Sequence, residues 1–282
     1  HATITEVVSN VVLVGGGEQL ILTGTEFLDS TSINCVIDKN ILSSRVTSVI
    51  NDTTVQCKTP PHVAGEVSVD VSVNGRDSSG SGMKLVYVTA PSVDSMSPLL
   101  GPESGDTIVH LYGKDFSVET GMWCRFGALS VEASVHSTEH LSCITPAQTM
   151  SGRMDVSISV NGLYYLPTGF VYEYLKAPTL ISVEPQSGPE SGGTRVYISG
   201  TELGPRGDIS CDFGGINLRT SGRWESSTML SCETPNHIPG AVQIRISSNN
   251  QQYSASYVEY DYYTREGLLS ASPLHDIIGG GV

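Results

Sequence analysis

One segment occurs twice, 87 residues apart, and a chain that repeats itself at that period folds as an array before it folds as anything else. Pro98-Leu-Leu-Gly101-Pro102-Glu103-Ser104-Gly105 returns as Pro185-Gln-Ser-Gly188-Pro189-Glu190-Ser191-Gly192. Each copy opens a strand that ends in glycine, Ile108 to Gly113 and Val196 to Gly200. A degenerate third copy, Gly16-Gly17-Glu18-Gln19-Leu20-Ile21-Leu22-Thr23-Gly24, stands in register near the N-terminus. Ser272-Pro273 and Gly279-Gly280-Gly281-Val282 begin the pattern again, with Pro273 and Gly281 spaced as Pro185 and Gly193 are. The expected units are 1–89, 90–176 and 177–263, with 264–282 as a linker and the first strand of a truncated fourth repeat. A unit of this length can bury a core of its own.

Six cysteines fall two to a unit at matching places: Cys35 and Cys57, Cys124 and Cys143, Cys211 and Cys232. Six can pair in about 15 ways. The repeat leaves one economical answer, a disulfide inside each unit, and such bonds persist in oxidising compartments. An extracellular or cell-surface location follows. The formal charge of −14 is spread evenly, each unit holding nine acidic residues against four or five basic ones. No unit offers the basic footprint a nucleic acid needs, and no apolar run is long enough to span a membrane.

Within each unit the strands show as period-2 alternation. Val67-Ser-Val69-Asp-Val71-Ser-Val73 directs valines one way and Ser68, Asp70 and Ser72 the other; Val156 to Val160 and Val242 to Ile246 repeat it. Asn74-Gly75 and Asn161-Gly162, and less ideally Asn249-Asn250, follow as hairpin signals because these residues accept positive φ. A tyrosine-rich strand closes the second and third units, and Ala90-Pro91 or Ala177-Pro178 leads onward. Prolines in so short a linker restrict the backbone and couple the orientations of neighbouring units. About seven such strands per unit, divided by turn signals and with no capped helical period, describe an all-β sandwich.

The residues then reach a family. Pro178 to Gly193 with its Gly188-Pro189 turn, Gly200-Thr-Glu-Leu203, Cys211-Asp-Phe213-Gly214 and Leu230-Ser-Cys232-Glu-Thr-Pro235 together resemble an IPT/TIG domain. That immunoglobulin-like module occurs in plexins, the hepatocyte-growth-factor receptor class, fibrocystin-like proteins and certain transcription factors. The middle unit resembles it through Gly101-Pro102, Gly113-Lys-Asp-Phe116, Cys124-Arg-Phe126-Gly127 and Leu141-Ser-Cys143-Ile-Thr-Pro146. The first does so through Gly24-Thr-Glu-Phe27, Cys35 and Val55-Gln-Cys57-Lys-Thr-Pro60, without the Gly-Pro turn. The resemblance implies three tandem immunoglobulin-like β-sandwiches in an elongated array. It implies a non-enzymatic spacer, adhesion surface or filament component, or alternatively the stalk of a single-pass, plexin-like receptor that binds a protein ligand.

Candidate sites are few. His136, His140 and Cys143 have a metal-like spacing, but Cys143 has a better partner in Cys124, and no histidine pair recurs in the sister units; no metal or cofactor is expected. The acidic residues are scattered singly, without the clustered oxygen ligands a calcium loop needs. No Gly-x-Ser-x-Gly elbow is present, and Gly15-Gly16-Gly17 lacks the Lys-Ser/Thr of a phosphate loop. Asn51-Asp52-Thr53 is the one sequon, making Asn51 a candidate N-glycosylation site. Tyr172, Tyr174, Tyr257, Tyr260, Tyr262 and Tyr263 are candidate interface residues, since aromatics with a polar tip suit contact surfaces. The expected partners are neighbouring repeats and other protein chains, with glycans on the surface.

Overall fold

A computed structural model describes residues 2–27, 33–42, 47–204, 208–215 and 217–264. It is all-β: among the described residues there are strands and turns and no helix. Two compact units emerge, His1–Leu175 and Lys176–Val282. The first contains two sandwiches and the second contains one.

The first sandwich is built from β1 (Thr3–Val7), β2 (Val11–Leu13), β3 (Gln19–Thr25), β4 (Asn34–Ile37), β5 (Asn40–Ile41), β6 (Thr47–Asn51), β7 (Thr54–Lys58), β8 (Gly65–Ser72) and β9 (Met83–Val88). One layer runs β1-β3-β7-β6 and the other β2-β9-β8-β4-β5. The inward residues of both layers, among them Leu20, Leu22, Val55, Val69, Val71, Leu85 and Tyr87, form one core. Cys35 on β4 and Cys57 on β7 bond across it, their Cα atoms 6.2 Å apart.

The second sandwich comprises β10 (Ser92–Ser97), β11 (Leu100–Pro102), β12 (Ile108–Lys114), β13 (Met122–Phe126), β14 (Leu129–Ser137), β15 (His140–Ile144), β16 (Gly152–Ser159) and β17 (Leu166–Leu175). Its order is β10-β12-β15-β14-β13-β16-β17-β11. The long β14 belongs to both layers, since Leu129 to Ala133 pair with β13 and Ala133 to Ser137 with β15. Cys124 and Cys143 join the layers at a Cα separation of 6.3 Å.

The third sandwich repeats that plan with β18 (Thr179–Glu184), β19 (Ser187–Pro189), β20 (Arg195–Thr201), β21 (Ser210–Phe213), β22 (Arg219–Ser226), β23 (Met229–Glu233), β24 (Gly240–Ser247) and β25 (Val258–Tyr263). Cys211 and Cys232 are bonded with Cα atoms 6.5 Å apart. Residues 265–282, where the start of a fourth repeat is expected, lie outside the described residues.

The Gly-Pro segments do more than turn the chain. Leu100–Pro102 and Ser187–Pro189 are short strands paired in parallel with the last strand of their own sandwich, as Val11–Leu13 is in the first. The turn follows them, and its glycine is obligatory. Gly16, Gly105 and Gly192 all have positive φ, near +64°, +79° and +69°, and a Cβ on any of them would strike the backbone beside Pro60, Pro146 or Pro235. Both backbone sign and space exclude a side chain there.

Three expectations need correction. The Asn-Gly pairs do not close two-residue hairpins, because β8 ends at Ser72 and β9 begins at Met83, and the other two units are similar. The asparagine instead opens a longer loop. Asn161 Oδ1 accepts the amides of Leu163 and Tyr164, and Asn74 and Asn249 accept those two and three residues on in the same way. An asparagine that satisfies its own following amides competes with a tight hairpin and wins. The polar side of β8 is also not all solvent-facing. Asp70 is buried because the loop after β8 folds over it, with Ser79 and the Gly80 amide donating to its carboxylate. Burial alone would raise its pKa, but the hydrogen bonds from Ser79, Val71 and Gly80 outweigh it and hold the carboxyl below its usual range.

The third correction concerns the tyrosines. Tyr172, Tyr174, Tyr260 and Tyr262 are at most 1% exposed and sit inside their own sandwiches, so they are core and not contact surface. β17 and β25 are interior strands, flanked on both sides. Tyrosines two apart on such a strand share the inward face. Tyr172 meets Tyr174 edge-on with centroids 4.9 Å apart, and Tyr260 meets Tyr262 at 5.0 Å. Only Tyr257 and Tyr263 of the six are exposed.

Candidate interface between the first two domains

Alternation on the short strand β2 divides its side chains between two cores. Val12 is buried in the first sandwich. Val11, 6% exposed, belongs to the core of the second, and Leu13 and Val88 pack against that same core. Three apolar side chains of one domain therefore close the end of the next. The loop after β16 comes down beside them.

A buried carboxylate fixes that loop. Glu18 is 6% exposed although charged side chains are seldom buried without partners. Its Oε1 accepts the amide of Leu13 at 2.8 Å and its Oε2 accepts Asn161 Nδ2 at 3.0 Å. Asn161 Nδ2 donates as well to the carbonyl of Val11, at 3.0 Å. One bond later the Gln19 amide donates to Tyr164 Oη at 2.6 Å, and that hydroxyl lies 3.2 Å from the Gln19 carbonyl. Asn161 thus uses Oδ1 to shape its own loop and Nδ2 to hold the neighbouring domain. In the other two sandwiches the equivalent amide stays at home: Asn74 Nδ2 donates to Asp77 and Asn249 Nδ2 to Gln252.

Glu18 departs from its counterparts too. Its amide donates to Thr59 Oγ1, as those of Thr107 and Thr194 donate to Thr145 and Thr234, so the three positions are structurally equivalent. Threonine stands there twice and glutamate once. Burial and the nearby Glu18 carboxylate push the Tyr87 hydroxyl up to about 12, and that hydroxyl donates to the Pro60 carbonyl at 3.0 Å.

The remaining expected residues fall as follows. The three cystines are internal staples. Asn51 is exposed at the end of β6, where its Oδ1 accepts the amide and hydroxyl of Thr53. His136 and His140 lie on the outward face of the second sandwich, beside His110, which spacing along the chain does not associate with them. The sequence reading gives Glu18 only as part of a repeat start and Asn161 only as a turn residue, and it does not mention Tyr164. The one signal was the break in repeat identity, glutamate where the aligned copies have threonine.

Comparison with known proteins agrees with this architecture. The family model for the IPT/TIG domain matches three times, over residues 2–87, 91–173 and 178–262. The chain belongs to the IPT/TIG family. Over 197 residues, 68% of this chain, it is 26% identical to Plexin-2 of Caenorhabditis elegans, of which it covers 11%. Over 240 residues, 82% of the chain, it is 26% identical to Fibrocystin-L of Mus musculus, covering 5% of that protein. Among solved structures, the full extracellular region of plexin A4 aligns with 90% of this chain and 24% of its own, at 17% identity and a TM-score of 0.47. The chain spans about a tenth or less of these curated relatives.

Proposed function

We propose that this chain is a non-enzymatic extracellular segment of a tandem array, made of domains 1–89, 90–176 and 177–263, that sets spacing and presents surfaces to other protein chains. The observation carrying this reading is the shared end-core of the first two domains with its buried Glu18–Asn161 contact. A coupled junction makes reach and orientation properties of the array. Three internal cystines support an oxidising compartment. On this reading Asn51 carries an N-glycan on an exposed turn, and Tyr257 and Tyr263 are available for contact.

Alkylation of the native protein followed by mass spectrometry, with and without prior reduction, tests the compartment. Six cysteines blocked before reduction and labelled after it are expected. Six labelled without reduction would remove the basis for an extracellular role. The plexin relatives favour a second reading, the stalk of a single-pass receptor. That reading requires a membrane span in the full-length polypeptide, and a full-length polypeptide without one would eliminate it.

A further inference from the structure

Two asparagines of the chain precede a glycine, Asn74 and Asn161, and each opens the loop between the last two strands of its sandwich. An asparagine before glycine can react with itself. The glycine nitrogen attacks the asparagine Cγ to close a five-membered imide, and a nitrogen with no Cβ beside it is the least hindered one a chain offers. In a folded protein the reaction is governed by what holds the carboxamide and what covers the nitrogen. The three sandwiches differ in both.

In the second domain both reacting groups are engaged. The Gly162 amide donates to Ser159 Oγ at 2.9 Å. The indole of Trp123 covers the glycine, 3.4 Å from where its Cβ would stand. Asn161 Nδ2 is held across the junction by Glu18 and by the Val11 carbonyl. In the third domain Asn250 replaces the glycine, so a side chain flanks the nitrogen, and Asn249 is buried. The first domain has none of these protections. Gly75 is exposed, open space surrounds the place of its missing Cβ, and its amide has no acceptor among the described residues. Ser72 stands where Ser159 does, but its hydroxyl is bonded to Asn74 Oδ1, at 3.4 Å, and not to the Gly75 amide. Asn74 Nδ2 is held only by the exposed Asp77 of its own loop, at 2.8 Å.

We propose that Asn74-Gly75 is a self-modification site, at which the side-chain amide becomes a carboxylate, while the fold shields its counterpart Asn161-Gly162. The Gly75 nitrogen gives its proton to solvent hydroxide and bonds to Asn74 Cγ. The Cγ–Nδ2 bond breaks, and Nδ2 takes a proton from water and leaves as ammonia. Water then opens the imide at either carbonyl, giving aspartate or isoaspartate. One water is consumed and one ammonia released, with no oxidation or reduction. Charge developing on Asn74 Oδ1 faces the amides of Arg76 and Asp77, each at 2.9 Å, donors already aimed at an oxyanion. Asn161 Oδ1 has the same pair in Leu163 and Tyr164, so the contrast lies in the nitrogen, its cover and the grip on Nδ2. The product alters its own loop. A carboxylate replaces the Nδ2 donor beside Asp77, and like charges so close repel. The same loop runs on to Ser79 and Gly80, which close over Asp70. The reaction is thus a one-way timer that loosens the cover of a buried carboxylate in the first domain.

The test is incubation of the whole 282-residue chain at neutral and mildly alkaline pH, once native and once in denaturant with the cystines reduced. Peptide mass spectrometry and isoaspartyl methyltransferase labelling then locate the product. In the native chain Asn74 should convert at least about tenfold faster than Asn161, the ratio that one or two net hydrogen bonds on the shielded pair correspond to. In denaturant the two should convert at similar rates. The native Asn74 rate should rise with pH, as loss of the amide proton requires. Asn74→Gln, whose longer side chain cannot close a five-membered ring, should lose the mass gain in this loop and leave Asn161 as it was. Equal native rates at Asn74 and Asn161, a difference that persists undiminished in denaturant, or a native Asn74 that is inert while the denatured one reacts would overturn the proposal.

Discussion

Glu18→Gln isolates the junction between the first two domains with almost no change of shape. Glutamine can still accept the Leu13 amide through its carbonyl oxygen. Its NH2 then faces Asn161 Nδ2, donor against donor. Asn161 cannot relieve this by flipping, because its Oδ1 already accepts the amides of Leu163 and Tyr164. The change therefore removes one hydrogen bond to a charged acceptor, worth about 2 kcal/mol within the usual range of 1.5–3 kcal/mol. If that energy holds the junction closed, the population of the open junction rises roughly thirtyfold, at about 1.4 kcal/mol per factor of ten. Amide hydrogen exchange reads this directly. The Gln19 amide, which donates to Tyr164 of the neighbouring domain, should exchange roughly thirtyfold faster, while Leu22 and Leu111, in the two cores, keep their protection. Unchanged exchange at Gln19 would refute the reasoning. So would an equal rise across all of the first domain, which would mean that Glu18 supports its own sandwich and not the junction.

Three further outcomes follow from the same geometry. Gly105→Ala should cost several kcal/mol in chemical denaturation, whereas Gly82→Ala, also at positive φ but with open space around it, should cost only the backbone strain of roughly 1–2 kcal/mol; equal effects would deny the close approach to the Thr145–Pro146 backbone. Asp70→Asn should destabilise the first domain near neutral pH and flatten its acid response: a folded pKa held below the usual value contributes stability above the unfolded pKa that is lost as pH falls through the folded one, and an unchanged acid limb would contradict it. Tyr87, Tyr172, Tyr174 and Tyr262, raised by burial to about 12, favour the neutral hydroxyl. Their stabilisation is complete below the unfolded pKa and is lost as pH rises from about 10 through about 12, so a spectrophotometric titration in which all the tyrosines ionise near 10 without unfolding would exclude that burial.

What the sequence made legible is what the chain encodes locally. Gly16, Gly105 and Gly192 mark one sterically closed turn, and Cys35, Cys124 and Cys211 pair with partners about 20 residues on, so repeat alignment exposes both. Alternation located the closing strands but could not say which face is inward. That is why four tyrosines expected at a surface lie in cores: the face of β17 and of β25 that carries them packs against the opposite layer of its own sandwich, a fact of tertiary packing and not of pattern. The junction was hidden for a different reason. Asn161 and Glu18 are 143 residues apart, and Asn161-Gly162 already had a sufficient local explanation. His110 was hidden likewise, since it joins His136 and His140 only through pairing of β12, β15 and β14.

The central claim is that the first two sandwiches behave as one body because they share a core end and a buried carboxylate. Residual dipolar couplings of backbone amides in the intact chain measure it most directly. The account predicts one alignment tensor fitting both sandwiches of the first unit, splitting into two when Glu18→Gln is introduced together with Val11→Ser. Two distinct tensors in the unmodified chain would contradict it.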